Sequence, residues 1–238
     1  MIRLLLALLL LLFHAGAGGN PPSISLAGIL SAYTEGDGTK TPASDVTITA
    51  GDSGSPNFTA TEIQSASVFI NVGYQSSEDV LAFPNANGIT GSWNSSTAVL
   101  SLTASSPLPS IATWEQALES VTYQNTSDDP STNLRSFQYR VTDSLAGQNN
   151  TLASFSVVAV NDAPVITDAS STLAYTEEDP AAIIDATLTI SDAENDQLQS
   201  ATVTISSGYE LSEDALNFDS ASASSLSSYP EDMVTVAD

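Results

Sequence analysis

The chain has 238 residues, with 28 acidic against four basic side chains and a formal net charge of −24. Nucleic acid phosphates and anionic lipid headgroups need a basic footprint, so this balance excludes both as partners and favours cations. There is no cysteine, and the single histidine is His14; disulfide scaffolds and His/Cys zinc sites are excluded, and paired carboxylates remain the one common hydrolytic design open to the chain.

From the N-terminus, Arg3 gives a short positive start and Leu4 to Phe13 form an unbroken apolar run, followed by Ala15-Gly16-Ala17. That order is the pattern of a secretory signal peptide over residues 1–17, and the run is too short for a stable membrane anchor. No later stretch is apolar enough to span a bilayer, so a secreted, extracellular or cell-surface chain is expected. Past residue 17 the cations are Lys40, Arg135 and Arg140, which puts the mature chain at −25. With His14 gone, a Ser-His-Asp or Cys-His nucleophile is unavailable, and the chain is expected not to be an enzyme.

The mature sequence alternates apolar and polar residues. Val46, Ile48 and Ala50 share one face of a period-two segment, as do Ala66, Val68, Ile70 and Val72. The same holds for Ala98, Leu100 and Leu102, and for Phe137, Tyr139 and Val141. Ala186, Leu188 and Ile190, then Ala201, Val203 and Ile205, repeat the pattern further on. Six such runs, bounded by Gly, Pro, Asn and Asp, predict strands with one buried face, and only Ile111 to Ser120 reads as a helix. An all-β sandwich follows.

The chain repeats itself. Tyr33-Thr34-Glu35 recurs as Tyr175-Thr176-Glu177; Gly73-Tyr74 with Ser77-Glu78-Asp79, Leu81 and Phe83 recurs as Gly208-Tyr209 with Ser212-Glu213-Asp214, Leu216 and Phe218. One repeat therefore covers 21–164 and a second begins at 165 and runs to 238. The second has no counterpart of Gly91-Ser92-Trp93 and ends in a Ser/Ala-rich stretch, so it is expected to be incomplete, with a divergent or disordered C-terminal end, and the chain to be part of a longer repeat array.

At Val160-Asn161-Asp162-Ala163-Pro164 the sequence resembles the linker between repeats of the cadherin superfamily, and Tyr139-Arg140-Val141-Thr142-Asp143 is similar to that family's penultimate strand. The long repeats, with their Gly-Tyr, Ser-Glu-Asp and Gly-Ser-Trp landmarks, look like the cadherin-like repeats of large microbial and algal surface adhesins. The resemblance implies tandem Greek-key (cadherin/immunoglobulin-like) β-sandwich repeats and a calcium-binding module for cell adhesion or matrix interaction, with calcium stiffening the joint between repeats. Residue by residue it implies Ca2+ ligands at Glu35, Asn161, Asp162, Asp192 and Glu194, with Asp196 as a nearby alternate. Asp128 or Asp129 falls where the family carries an acidic pair, and Asp143 would face a joint above the first repeat. Implied partners are cell-surface or matrix proteins or glycans, homophilic contact among them. Calcium suits such ligands because it takes six to eight oxygens from carboxylates, amides and carbonyls.

Glu78-Asp79 and Glu213-Asp214 lie outside that ligand set and read as turns before a strand. Trp93 and Trp114 read as packing residues. Four sequons, at Asn57, Asn94, Asn125 and Asn149, fall in expected loops or strand ends, where a glycoprotein carries its glycans. The competing functional readings are a secreted carbohydrate-binding or carbohydrate-active β-sandwich, using two carboxylates and an aromatic platform, and a passive surface spacer.

Overall fold

The computed structural model describes residues 20–52, 62–167, 172–194 and 197–217, and the backbone of Val234–Val236. The expected signal peptide (1–17), the sequon at Asn57, the alternate ligand Asp196 and the Ser/Ala-rich stretch 220–228 lie outside the described residues. Two compact units divide the chain, Met1–Val160 and Asn161–Asp238. The division falls slightly ahead of the expected 164/165 boundary, so Asn161 to Pro164 goes with the second unit. Among the described residues no helix is long and apolar enough to cross a membrane.

The first unit contains β1 (Ser23–Ile29), β2 (Ala32–Thr34), β3 (Ala43–Thr49), β4 (Ile63–Val72), β5 (Asp79–Ala82), β6 (Ile89–Asn94), β7 (Val99–Ala104), α1 (Ile111–Glu119), β8 (Thr122–Asn125), β9 (Arg135–Asp143) and β10 (Gln148–Val158). One layer is a six-stranded sheet in the order β2-β10-β9-β4-β7-β6. Its pairings are antiparallel except β2 with β10, which runs parallel. Facing it are the antiparallel pairs β1–β3 and β5–β8, together with α1. Lys40 and Tyr123 exchange backbone hydrogen bonds of 2.8 and 2.7 Å, which ties β8 to the chain entering β3. The unit is an all-β sandwich.

Alternation explains the layers. Val46 and Ile48 of β3, Ala66, Val68 and Ile70 of β4, Leu100 and Leu102 of β7, and Phe137, Tyr139 and Val141 of β9 all point into one buried cluster. Val72, expected on that face, is exposed, because the β4–β9 register shifts between Ile70 and Val72 and turns the strand end out of the core. Tyr123 sits at the aromatic centre, edge-on to Tyr33, Phe137 and Phe155 with ring centroids 5.0, 5.4 and 5.1 Å away.

The helix α1 starts where Ser110 Oγ accepts the N–H of Thr113 at 3.2 Å, an N-cap. Trp114, Ala117 and Leu118, at helical spacing, bury one face. Trp114 donates its indole N–H to the Ile63 carbonyl at 3.0 Å, which makes it a core residue with a satisfied polar atom. Trp93 is half-buried and lies edge-on to Tyr74.

In the second unit β11 (Val165–Thr167) pairs antiparallel with β12 (Thr189–Ser191), and β13 (Ala201–Val203) pairs parallel with β14 (Val234–Val236). Here the expectation of buried strand faces fails: Leu188, Ile190, Val203 and Ile205 are all exposed. Alternation marks the side that can face a core, and among the described residues no second layer covers it.

Candidate functional site

Three groups of acidic residues carry the chemistry, two in the first unit and one in the second. The first is the sequence-implied Glu35. Parallel pairing sets Thr34 opposite Val158, so the residues after each strand stay side by side. Glu35 N–H donates to the Val158 carbonyl at 2.9 Å, and its carboxylate accepts the Val160 N–H at 2.8 Å. A carboxylate oxygen of Asp128 lies within 4.8 Å of a Glu35 oxygen. Among the described residues neither acid makes an ion pair with Lys or Arg. Asp129 is a loop residue whose N–H is held by Ser127 Oγ at 3.1 Å.

The second group belongs to the second unit. The β11–β12 register sets Val165 opposite Ser191, and its continuation brings residue 162 opposite residue 194. The Asp162 N–H accordingly points at the Glu194 carboxylate, 3.3 and 3.4 Å from its two oxygens. Asn161 donates its side-chain amide to the Asp162 carbonyl at 2.7 Å. Asp192 directly follows β12. Antiparallel pairing of β11 with β12 thus places Asn161, Asp162, Asp192 and Glu194 at one end of a two-stranded ribbon. Asp143 has a different job: buried, it accepts N–H bonds from Leu145 at 2.9 Å and Gly147 at 2.7 Å and closes the β9–β10 turn.

The third group is Glu78-Asp79. The expected turn before a strand is there, with Glu78 N–H on the Gln75 carbonyl at 3.1 Å and β5 starting at Asp79, and the same two residues form the anionic half of a buried network. Arg135, with no solvent exposure, donates Nε–H to Asp79 Oδ2 at 2.8 Å, Nη2–H to Glu78 Oε2 at 3.3 Å and Nη1–H to the Asn133 carbonyl at 2.8 Å. Asp79 Oδ1 accepts from Tyr123 at 2.6 Å and from the Asn125 amide at 3.1 Å, while Oδ2 also takes the Gln75 N–H at 2.8 Å. The Glu78 carboxylate accepts from Asn125 at 3.2 Å and from the Ser131 N–H at 3.1 Å. Such saturation is what a charge needs inside a protein, since each ion removed from water loses several kcal/mol of hydration. Burial, and then the bond to Asp79, push the Tyr123 hydroxyl well above its ordinary pKa.

Gly73 makes the network reachable. Its φ is +76°, and a Cβ there would stand 2.0 Å from the Leu134 carbonyl oxygen, so only glycine lets the strand bearing Arg135 come this close. The recurring Gly-Tyr and Glu-Asp landmarks are therefore two parts of one arginine socket. The available signals were the recurrence itself and the scarcity of cations; only pairing across β4–β9 and β5–β8 reveals the partners. Asp79 is 1 % exposed, so its carboxylate is closed to a substrate.

One sequon departs from expectation. Asn125 ends β8, is buried, and spends its amide on Glu78 and Asp79. Asn94 is exposed, with its side-chain oxygen closing a turn onto Ser96 and Thr97. Asn149 is half-buried in β10.

No family model and no curated protein matches the chain. Among solved structures, it is similar to the third cohesin of ScaC from Acetivibrio cellulolyticus, solved in complex with the ScaB dockerin, at 13 % identity and a TM-score of 0.30. That match covers 58 % of this chain and 99 % of the cohesin. A likeness at this level assigns no function.

Proposed function

We propose that this is a secreted calcium-binding module for adhesion or matrix interaction, built from cadherin-like repeats, in which calcium stiffens the stretch joining one repeat to the next. It works by binding protein or glycan partners, not by catalysis. The observation that supports this most is Glu35: its carboxylate is anchored on the N–H of Val160, the residue before Asn161-Asp162, with the Asp128 carboxylate within 4.8 Å. Two carboxylates at that separation repel by about 1 kcal/mol even in bulk-like surroundings, and a divalent cation reverses the sign. Within the second unit Asp162 and Glu194, brought together by β11–β12 pairing, are oxygen donors of the kind calcium takes.

The test is thermal unfolding of the full chain with chelator and with about 2 mM calcium. Extracellular sites bind at roughly 10⁻⁴–10⁻³ M; at the tight end the stabilisation is about 1.8 kcal/mol, a rise in Tm of about 2–6 °C. Asp162→Ala, and separately Glu35→Gln with Asp128→Asn, should each remove most of the rise. In chelator the Glu35/Asp128 pair variant should melt no lower than the parent, because it loses a repulsion. An unchanged Tm in calcium would overturn the reading in favour of a passive spacer.

A further inference from the structure

The acids of the first unit are sorted by layer. The six strands of the larger sheet contain one acidic residue, Asp143, and it is buried. The layer facing that sheet holds Asp45 on β3, Asp79 on β5, and Glu115 and Glu119 on α1. The outer face of the larger sheet therefore presents no carboxylate along its strands, in a chain of net charge −24. It presents a cation instead. Register sets Asn150, Arg140, Ser67, Ser101 and Ser92 side by side across five strands, every one of them exposed or half-buried.

Arg140 is held in place without being neutralised. Its guanidinium lies 5.3 Å over the Phe69 ring, a stacking contact that orders the side chain. Among the described residues it makes no ion pair, whereas Arg135 pairs with Glu78 and Asp79, and Lys40 with Asp37. A guanidinium fork fits a carboxylate through two parallel hydrogen bonds. The neighbours in its row are hydroxyls and an amide, groups that both donate and accept. Adjacent strands stand about 4.8 Å apart, close to the length of one sugar ring, so successive strands can meet successive rings. The core of a protein interface is apolar and rich in aromatic side chains; here the aromatic ring beside the row already lies under the guanidinium. One cation matches one carboxylate, and a polyanion would be repelled by the rest of the chain. We propose that this face binds a glycan carrying a single acidic sugar among neutral ones. Arg140 takes the carboxylate, and Asn150, Ser67 and Ser101 take ring hydroxyls. The inference rests on the reading of the chain as an extracellular binding module, and it names the face and the chemistry of the partner.

The test titrates sialyllactose, and separately glucuronosyl-xylotriose, into the intact chain by calorimetry, with lactose and xylotriose as neutral counterparts. Chelator is present throughout, so acids bridged by calcium contribute nothing and the outcome is independent of the calcium shift in Tm. At least one acidic sugar is expected to bind, and its neutral counterpart at least tenfold more weakly. Arg140→Leu should weaken binding at least tenfold. Ser67→Asp should do the same by a different route: it leaves Arg140 and Phe69 in place and sets a carboxylate opposite the guanidinium. Circular dichroism checks that both variants fold. Binding of neither acidic sugar, equal binding of acidic and neutral sugars, or binding indifferent to both variants overturns the proposal. So does an Arg140-dependent dimer in sedimentation of the chain alone, which would make a second copy the occupant.

Discussion

Arg135 and Asp79 are each fully enclosed, so removing either leaves an uncompensated charge in the interior. Asp79→Asn or Arg135→Leu is expected to lower the unfolding free energy by about 3–5 kcal/mol, measured by denaturant titration. Arg135→Lys should rescue little, because a lysine is a point charge and cannot span Asp79, Glu78 and the Asn133 carbonyl as the guanidinium fork does. The same enclosure sets an alkaline limit. Burial raises the pKa of both Tyr123 and Tyr139. A tyrosine raised in the fold keeps its proton when the unfolded chain has already lost it, so its stabilising contribution is complete below about pH 10 and declines above it. Stability measured against pH should therefore fall above pH 10, and less steeply in Tyr123→Phe. Asn125 is a sequon by spelling only: its amide is buried and donates to both Glu78 and Asp79, and a glycan there would disrupt those two bonds. Mass spectrometry of chain secreted from a eukaryotic host should find Asn94 occupied and Asn125 bare. The sequence displays the Asn-x-Thr/Ser spelling and the Glu-Asp recurrence, but not the burial that separates a glycan acceptor from a network member.

At the scale of elements, α1 guards a sheet edge. β3 has β1 as its sole strand neighbour among the described residues. Its Val46 and Ile48 N–H groups donate instead to Glu119 at 3.1 Å and Glu115 at 2.8 Å. The two glutamates lie four apart, one helical turn, and the two N–H groups two apart along a strand, so the periods of helix and strand are matched across the contact. This caps an edge that would otherwise invite another chain. Glu115→Ala and Glu119→Ala should each cost about 1–2 kcal/mol through a part-buried N–H left without a partner, and the double variant should aggregate faster on heating, read by light scattering. The helix was legible from Ile111 to Ser120, but the task of its glutamates was not, because nothing local links positions 115 and 119 to 48 and 46. Likewise β3, β4, β7 and β9 announce themselves by alternation. β5 and β8 are four residues each, too short for a period to register, and their importance lies in what they carry across the sandwich.

For the whole molecule, the sandwich and the internal repeat were legible because both are patterns of residue type. Local turn geometry preserves the repeat even where packing does not: Thr34 N–H to Asp37 at 3.0 Å is echoed by Thr176 N–H to Asp179 at 3.2 Å. Whether a repeated strand is covered depends on partners far away in sequence or on another chain, which alternation does not encode. The two units should accordingly differ in how easily they open. Amide protection follows the free energy of local unfolding, which is lowest where buried apolar contacts are few and charge is unbalanced. In the first unit β4 lies between β7 and β9, and its Val68 and the cross-strand partners Leu100 and Tyr139 are fully buried. Among its described residues the second unit pairs its strands over three residues at a time and leaves Leu188 and Val203 exposed, and its sequence concentrates acids with no internal cation. Hydrogen exchange of the intact chain should show amides of β4, β9 and β10 exchanging slowest and those of β11–β13 fastest. Brief proteolysis should leave the first unit whole while the second is degraded. Equal protection of β4 and β13 would mean that the strands of the second unit are covered as those of the first are.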